Sequence, residues 1–282
     1  MPLFGPAGNS LSFAEMGYKN SLDVPDYIVE MGLDCYEYQC GRGVNIGEEK
    51  AIALGKKAAE RGVFLSLHAP YYISMSSLEE EKRLNSVNYI LASARAVNAM
   101  GGNRIVVHTG SCGKISRANA LELALDTMKL AIEALDREGL SHVHICPETM
   151  GKVNQLGTLD EVLELCKTDE RLIPCIDFGH LNARDLGCLK TLGDYENIFV
   201  KIKNALGTDR LKSFHSHFSK IEYTTGGEKR HLTFADTVYG PDFEPVMELT
   251  NKYGCDPVFI CESAGTQAED AKTMKDYYNS LL

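Results

Sequence analysis

Short apolar runs alternate along this chain with longer amphipathic stretches. Strand-like runs fall near 1–4, 34–38, 64–68, 104–108, 142–148, 173–177, 211–217 and 258–262. Between them, apolar residues recur every three or four positions, most clearly at 48–61, 79–100 and 117–138, with Gly62, Gly101 and Gly139 as stop signals. Strand-then-helix alternation predicts a parallel sheet, and eight rounds of it predict an α/β fold closed into a single (β/α)8 TIM barrel. No GxGxxG follows the first strand, which argues against a dinucleotide site. The 282 residues suit one barrel of about 250 residues with extended loops, so 1–282 reads as one domain. The longest irregular piece is 219–241, after the seventh strand.

Six of the strand-like runs end on a metal-ligand type: His68, His108, Glu148, Asp177, His215 and Glu262. Parallel strands would bring all six to the C-terminal mouth, where barrels of this kind build their active sites. Imidazole and carboxylate are zinc ligands, and one shared carboxylate can hold two ions about 3.5–4 Å apart for phosphoester hydrolysis. Glu148, central in the order, is the natural bridge. Taken singly, a buried strand-end histidine is more often a hydrogen-bonded core residue than a ligand. Six coincident ends change that balance, because three carboxylates in one mouth need cations that these strand ends do not supply.

Composition narrows the classes. Hydrophobic residues make up 44% and charged residues 24%, an ordinary globular balance, and no apolar run approaches the roughly 18 residues that would span a membrane. The N-terminus MPLFGPAGNS has neither a basic n-region nor a long apolar stretch, so a cytoplasmic location is expected. Nine cysteines without a CxxC pair are expected to be reduced thiols, with Cys146 and Cys175 pointing into the barrel below the mouth. A net charge of −10 disfavours binding nucleic acid through a broad basic surface, although metal would concentrate positive charge at the mouth.

The motifs HAPYYISM at 68–75, VVHTGS at 106–111, PETMGKVNQLG at 147–157, CIDFGH at 175–180, HSHFSK at 215–220 and RH at 230–231 resemble endonuclease IV. The resemblance runs from about residue 1 to 262. It implies a barrel that binds two or three Zn²⁺ ions and hydrolyses double-stranded DNA 5′ to abasic sites. On that basis His68, His108 and the bridging Glu148 hold one zinc; Glu148, Asp177, His215 and Glu262 hold the second; His180 and His231 belong to the third. Glu148 and Glu262 are then the catalytic carboxylates. The chain departs from the family at the third site, where Lys229 stands in place of an aspartate. Glu228 replaces that ligand if the loop, one residue longer than usual, shifts its register.

A DNA enzyme of this kind also needs loop groups that open the duplex. Tyr71 and Tyr72 suit that role, with Arg42 beside them, and Lys220 and Arg230 are candidates for phosphate contact. Each has a plain alternative as a rim or solvated residue. His217 shares a strand face with His215 and is expected either to contact substrate or to compete as a ligand. His142 and His144 should lie below the mouth. Two other readings stay open: a sugar isomerase or epimerase similar to xylose isomerase, holding one Mn²⁺ or Mg²⁺ through Glu148, Asp177, His215 and Glu262, and a non-catalytic metal-containing binder of damaged DNA. No protein partner is indicated.

Overall fold

The computed structural model describes residues 1–282. Its strands are β1 (Leu3–Pro6), β2 (Cys35–Gln39), β3 (Phe64–His68), β4 (Arg104–Val107), β5 (His144–Pro147), β6 (Cys175–Asp177), β7 (His215–Phe218), β8 (Ile221–Thr224), β9 (Gly227–His231) and β10 (Val258–Cys261). Two parallel four-stranded sheets form, in the orders β2-β3-β4-β5 and β1-β10-β7-β6. Parallel bridges at Ala7↔Glu37 and Glu148↔Cys175 join their edges and close the TIM barrel. The expected fold class is the observed one.

The three clearest expected helices form at Glu48–Arg61, Glu80–Ala99 and Arg117–Arg137. Each buries one stripe at helical spacing: Ala51, Leu54 and Ala58 on the first, Val87, Ile90, Ala94 and Val97 on the second, Ala120, Ala124, Met128, Ala131 and Leu135 on the third. Leu54 is fully buried, a side chain whose removal from water contributes roughly 1.5–3 kcal/mol.

Inside the barrel, strand alternation stacks apolar residues low and polar residues high. Val106, Cys146, Ile173 and Cys175 pack together near the base. Two residues further along β5 and β6, on the same inward face, stand Glu148 and Asp177. Cys146 and Cys175 thus lie below the mouth as expected, and all nine cysteines are unpaired.

The 219–241 segment is not irregular throughout. It holds the antiparallel hairpin β8–β9, whose register shifts between Glu222 and Tyr223: Arg230 faces Glu222 and Glu228 faces Tyr223. Lys229 is the extra residue of this β-bulge. Its polar sequence gave no strand signal, because the hairpin lies over the barrel mouth rather than in the core. No helix is long and apolar enough to cross a membrane.

Candidate metal centre

Glu148 sits at the centre of the mouth, fully buried. One of its oxygens, Oε2, lies 3.0 Å from His108 Nε2 and 3.5 Å from His68 Nε2. The other, Oε1, lies 3.1 Å from His217 Nδ1 and 3.3 Å from His180 Nδ1. Glu148, Asp177, His217 and Glu262 together bring one ligand atom each within 4.8 Å of one another, and so do His68, His108 and Glu148. Glu148 therefore belongs to two adjoining ligand sets, one on each side of its carboxylate.

The imidazoles are held from behind. His68 Nδ1 lies 2.8 Å from the Ala69 carbonyl and His180 Nδ1 lies 2.9 Å from the Thr149 carbonyl, so each donates through Nδ1 and turns Nε2 towards the mouth. His231 Nδ1 is tied to Ser219 Oγ at 2.8 Å. Such outer hydrogen bonds fix ring tautomer and direction at metal sites. Asp177 does double duty: its Oδ1 accepts the His180 N–H at 2.7 Å and caps the short helix Phe178–Arg184.

β7 requires a correction. Asp177 pairs in register with His217, and Cys175 with His215. His217, not the expected His215, therefore stands level with the carboxylates, with Nδ1 3.1 Å from Glu148 and 3.6 Å from Glu262. His215 lies one layer lower, beside Cys175 and His217, and its Nε2 is 3.0 Å from Glu37 Oε2. Burial pushes the His215 ring down to about 4 despite that partner, leaving it neutral.

Glu37, on β2, is a functional candidate that the sequence concealed. It is fully buried, accepts Ser66 Oγ at 2.9 Å and places Oε1 2.9 Å from His217 Nε2. A lone glutamate in CYEYQ reads as a solvent-facing strand residue. Only the alternation Cys35, Glu37 along a strand of known inward face would have indicated otherwise.

The third set is His180, Glu228 and His231. Glu228 Oε2 is 3.4 Å from His180 Nε2, and Oε1 is 3.8 Å from His231 Nε2. The bulge at Lys229 lets residues 228 and 231 face the same side. Lys229 and Arg230 turn to the outer face, where they pair with Glu222 at 2.5 and 2.6 Å. Two glycines permit the close approach: a Cβ on Gly151 would meet the Glu228 Cβ at 2.7 Å, and one on Gly227, whose φ is +88°, would meet the Gly151 carbonyl oxygen at 2.2 Å.

Above these sets opens a cavity of about 410 Å³, whose walls include His68, Tyr71, His108, Lys152, Glu228 and Glu262. Tyr71 meets His68 edge-on and His108 at a tilt, with ring centroids 5.4 and 5.3 Å away, and its loop abuts Gly41, next to exposed Arg42. Tyr72 is on the rim against Tyr89. Lys220 and Arg230 do not face the mouth: Lys220 donates to the Asp236 carbonyl at 2.7 Å, and Arg230 is taken by Glu222. His142 and His144 bond Asn98 and the Arg171 carbonyl instead, away from the cavity.

The electrostatics call for a cation. Every ion-pair partner of Glu148, Asp177 and Glu262 is a histidine. Burial pushes the Asp177 carboxyl up to about 6, and the neighbouring Glu262 and Glu148 add to the rise against the pull of His180. Burial also opposes ionisation of Glu148, yet the His217 charge and the surrounding imidazole contacts hold its carboxyl well below the usual range. Glu148 Oε2 and Asp177 Oδ2 are nevertheless buried with no aligned hydrogen-bond donor, an expensive state for carboxylate oxygens. These orphaned atoms and the nitrogen-and-oxygen donor set fit divalent metal.

A family model described as xylose isomerase-like TIM barrel matches residues 25–279. An uncharacterized protein of Methanocaldococcus jannaschii is 33% identical over 279 residues, which is 98% of this chain and 97% of that protein. A probable endonuclease 4 of Malacoplasma penetrans is 29% identical over 161 residues, 55% of this chain and 53% of its own length, so that likeness spans about half of each. Among solved structures, a D-tagatose 3-epimerase-like protein superposes with a TM-score of 0.74 at 20% identity, covering 99% of this chain and 97% of that one. Endonuclease IV from Thermus thermophilus gives 0.68 at 19% identity, covering 99% and 100%. Both superpositions establish the fold alone.

Proposed function

Since the chain belongs to the xylose isomerase-like TIM-barrel family, we propose that it is a zinc-dependent phosphodiesterase that cleaves double-stranded DNA on the 5′ side of abasic sites. The observation that carries this reading is the two-sided environment of Glu148, with His68 and His108 on one oxygen and His180 and His217 on the other. A site for one metal at Glu148, Asp177, His217 and Glu262 needs neither the His68 and His108 pair on the other oxygen nor the third set His180, Glu228 and His231.

In this reading His68 and His108 hold one ion with Glu148, while Asp177, His217 and Glu262 hold another. His180, Glu228 and His231 hold a third. Bound zinc supplies Lewis-acid charge, which lowers the pKa of water towards neutrality and offsets charge developing on phosphate oxygens. The chain's own residues set the geometry. Ala69, Thr149 and Ser219 fix the imidazoles from behind, the buried floor keeps bulk water from the carboxylates, and Tyr71 and Lys152 line the approach for a nucleotide and its phosphate. Arg42 and Tyr72 flank that approach on the rim.

The test is an end-labelled duplex with one abasic site, incubated with zinc-loaded protein, with a chelated control and with Glu148→Gln. Chelator-sensitive incision 5′ to the site, leaving a 3′-hydroxyl, is the expected result. A second reading is favoured by one observation: Glu148, Asp177, His217 and Glu262 already form a complete set for a single divalent ion. An intact duplex together with Mn²⁺-dependent interconversion of ketoses would establish this sugar epimerase or isomerase reading instead.

A further inference from the structure

We propose that Cys175, His215 and His217 form a closed zinc site on the barrel floor, beneath the carboxylates of the mouth. Each of the three brings a ligand atom within 4.8 Å of those of the other two, and all three residues are fully buried. They meet because β6 and β7 pair in register, Cys175 beside His215 and Asp177 beside His217. Inward alternation along both strands then puts the thiol and the His215 ring one layer below Asp177 and His217. The inference does not rest on the DNA substrate, and it shares only His217 with the metal sets of the proposed function.

Two observations point to a cation here. Each imidazole has a buried nitrogen with no aligned partner, Nδ1 of His215 and Nε2 of His217, while the other nitrogen of each is engaged, by Glu37 at 3.0 Å and by Glu148 at 3.1 Å. A ring nitrogen sealed from water without a partner is costly, and a metal ion satisfies it. Independently, Glu37 is a fully buried carboxylate whose ion-pair contacts are His215 and His217; no lysine or arginine pairs with it. One Zn²⁺ balances the charge of this carboxylate together with that of a Cys175 thiolate.

The donors also select the ion. One thiolate with two imidazoles suits zinc and disfavours Mg²⁺ and Mn²⁺, which prefer oxygen. On binding, sulfur–zinc and nitrogen–zinc bonds form, the Cys175 thiol and any protonated ligating nitrogen release their protons to solvent, and nothing is oxidised. The Glu37 carboxylate lies within 3.0 Å of a nitrogen on each ring, beside the set, where a fourth donor is wanted. A site closed in this way keeps no open position for water, so its role is structural: the ion ties β6 to β7 under the residues that face the mouth.

The test uses the full chain carrying Cys188→Ala, which removes the one exposed thiol, kept reduced and loaded with zinc. X-ray absorption at the zinc edge should show a sulfur neighbour at about 2.3 Å, and Co²⁺ loading should give a thiolate charge-transfer band. Both signals should vanish in Cys175→Ala with loss of one zinc equivalent by elemental analysis, and His215→Gln should lose the same equivalent. Both should persist in Cys146→Ala, whose thiol packs beside Cys175 but lies outside the set. Circular dichroism checks that each variant folds.

Absence of a sulfur neighbour in the zinc-loaded chain with Cys175 intact overturns the proposal, and that measurement needs no variant of the site to fold. So does a sulfur signal that survives Cys175→Ala. Abasic-site cleavage without sulfur at zinc defeats this inference alone, whereas sulfur at zinc with an uncut duplex supports it and defeats the nuclease reading. A chain that holds no zinc defeats both.

Discussion

Glu228 stands with Oε2 3.4 Å from His180 Nε2 because the residue after it, Lys229, is bulged out of the β8–β9 ladder. Without the bulge, strand alternation would turn Glu228 and His231 to opposite faces. With it they converge on His180, and the lysine that replaces an expected aspartate becomes a spacer. Glu228→Ala should therefore lower the bound zinc by one equivalent while leaving the sets around Glu148 filled, as read by elemental analysis after dialysis. Lys229→Asp should leave the zinc count unchanged, since its side chain pairs with Glu222 on the outer face. A gain of metal in Lys229→Asp would contradict this geometry.

Glu148→Gln removes the charge between the two inner ligand sets. The fold should persist, because the barrel closes through backbone pairing at this position. Activity on the abasic duplex should fall more than about 100-fold, the effect of losing several kcal/mol of charge stabilisation. Full activity in a folded variant would remove Glu148 from its bridging role.

Metal itself should stabilise the fold. The site gathers buried carboxylates that have only histidines as ion-pair partners, and an ion bound to the folded state alone contributes about 2.7 kcal/mol at a hundredfold excess over Kd. Differential scanning fluorimetry of chelated and zinc-loaded protein should show a clear upward shift in Tm. Identical curves would indicate that the cluster holds no ion.

Arg184 controls the loop that carries Lys152. Its guanidinium is largely buried and donates to the carbonyls of Met150, Lys152, Val153 and Gln155 at 2.7–3.2 Å. Arg117 also donates to the Val153 and Gln155 carbonyls, and the Gln155 N–H to that of Lys152, so Arg184→Met would strand chiefly the Met150 carbonyl, at a cost of roughly 1–3 kcal/mol, equivalent to a fall in Tm of about 2–12 °C for a chain of this size. Proteolysis within 150–157 should also accelerate. A change of under about 1 °C would show that water replaces the guanidinium without loss.

Acid stability should carry a signature of Glu161. Burial pushes its carboxyl up, but Arg117 and the N–H groups of Gly157 and Thr158 outweigh burial and hold it below the ordinary value. The folded state thus binds this proton more weakly than the unfolded chain. The contribution is fully present above the unfolded pKa of about 4.3 and is lost as pH falls through the lower folded-state value. Urea denaturation between pH 3 and 7 should show a shallower acid decline for Glu161→Gln than for the parent. Parallel declines would assign the acid sensitivity elsewhere.

Much of this protein was legible in its sequence. Period-two and helical spacing fixed the alternation of strands and helices, because burial of one face acts locally and leaves a local pattern. Strand-end positions located His68, His108, Glu148, Asp177 and Glu262 at one mouth for the same reason. The choice of His217 over His215 depended on the register of β7 against β6, and register is a relation between strands that one strand cannot encode. Glu37 was hidden because its acceptor role exists only where a closed barrel sets β2 opposite β7. Glu228, which the sequence offered only on condition of a register shift, meets His180 through a bulge in the hairpin that packs over Gly151. Sequence determined which side chains could serve and the level of most of them; closure, register and the bulge decided which atoms meet.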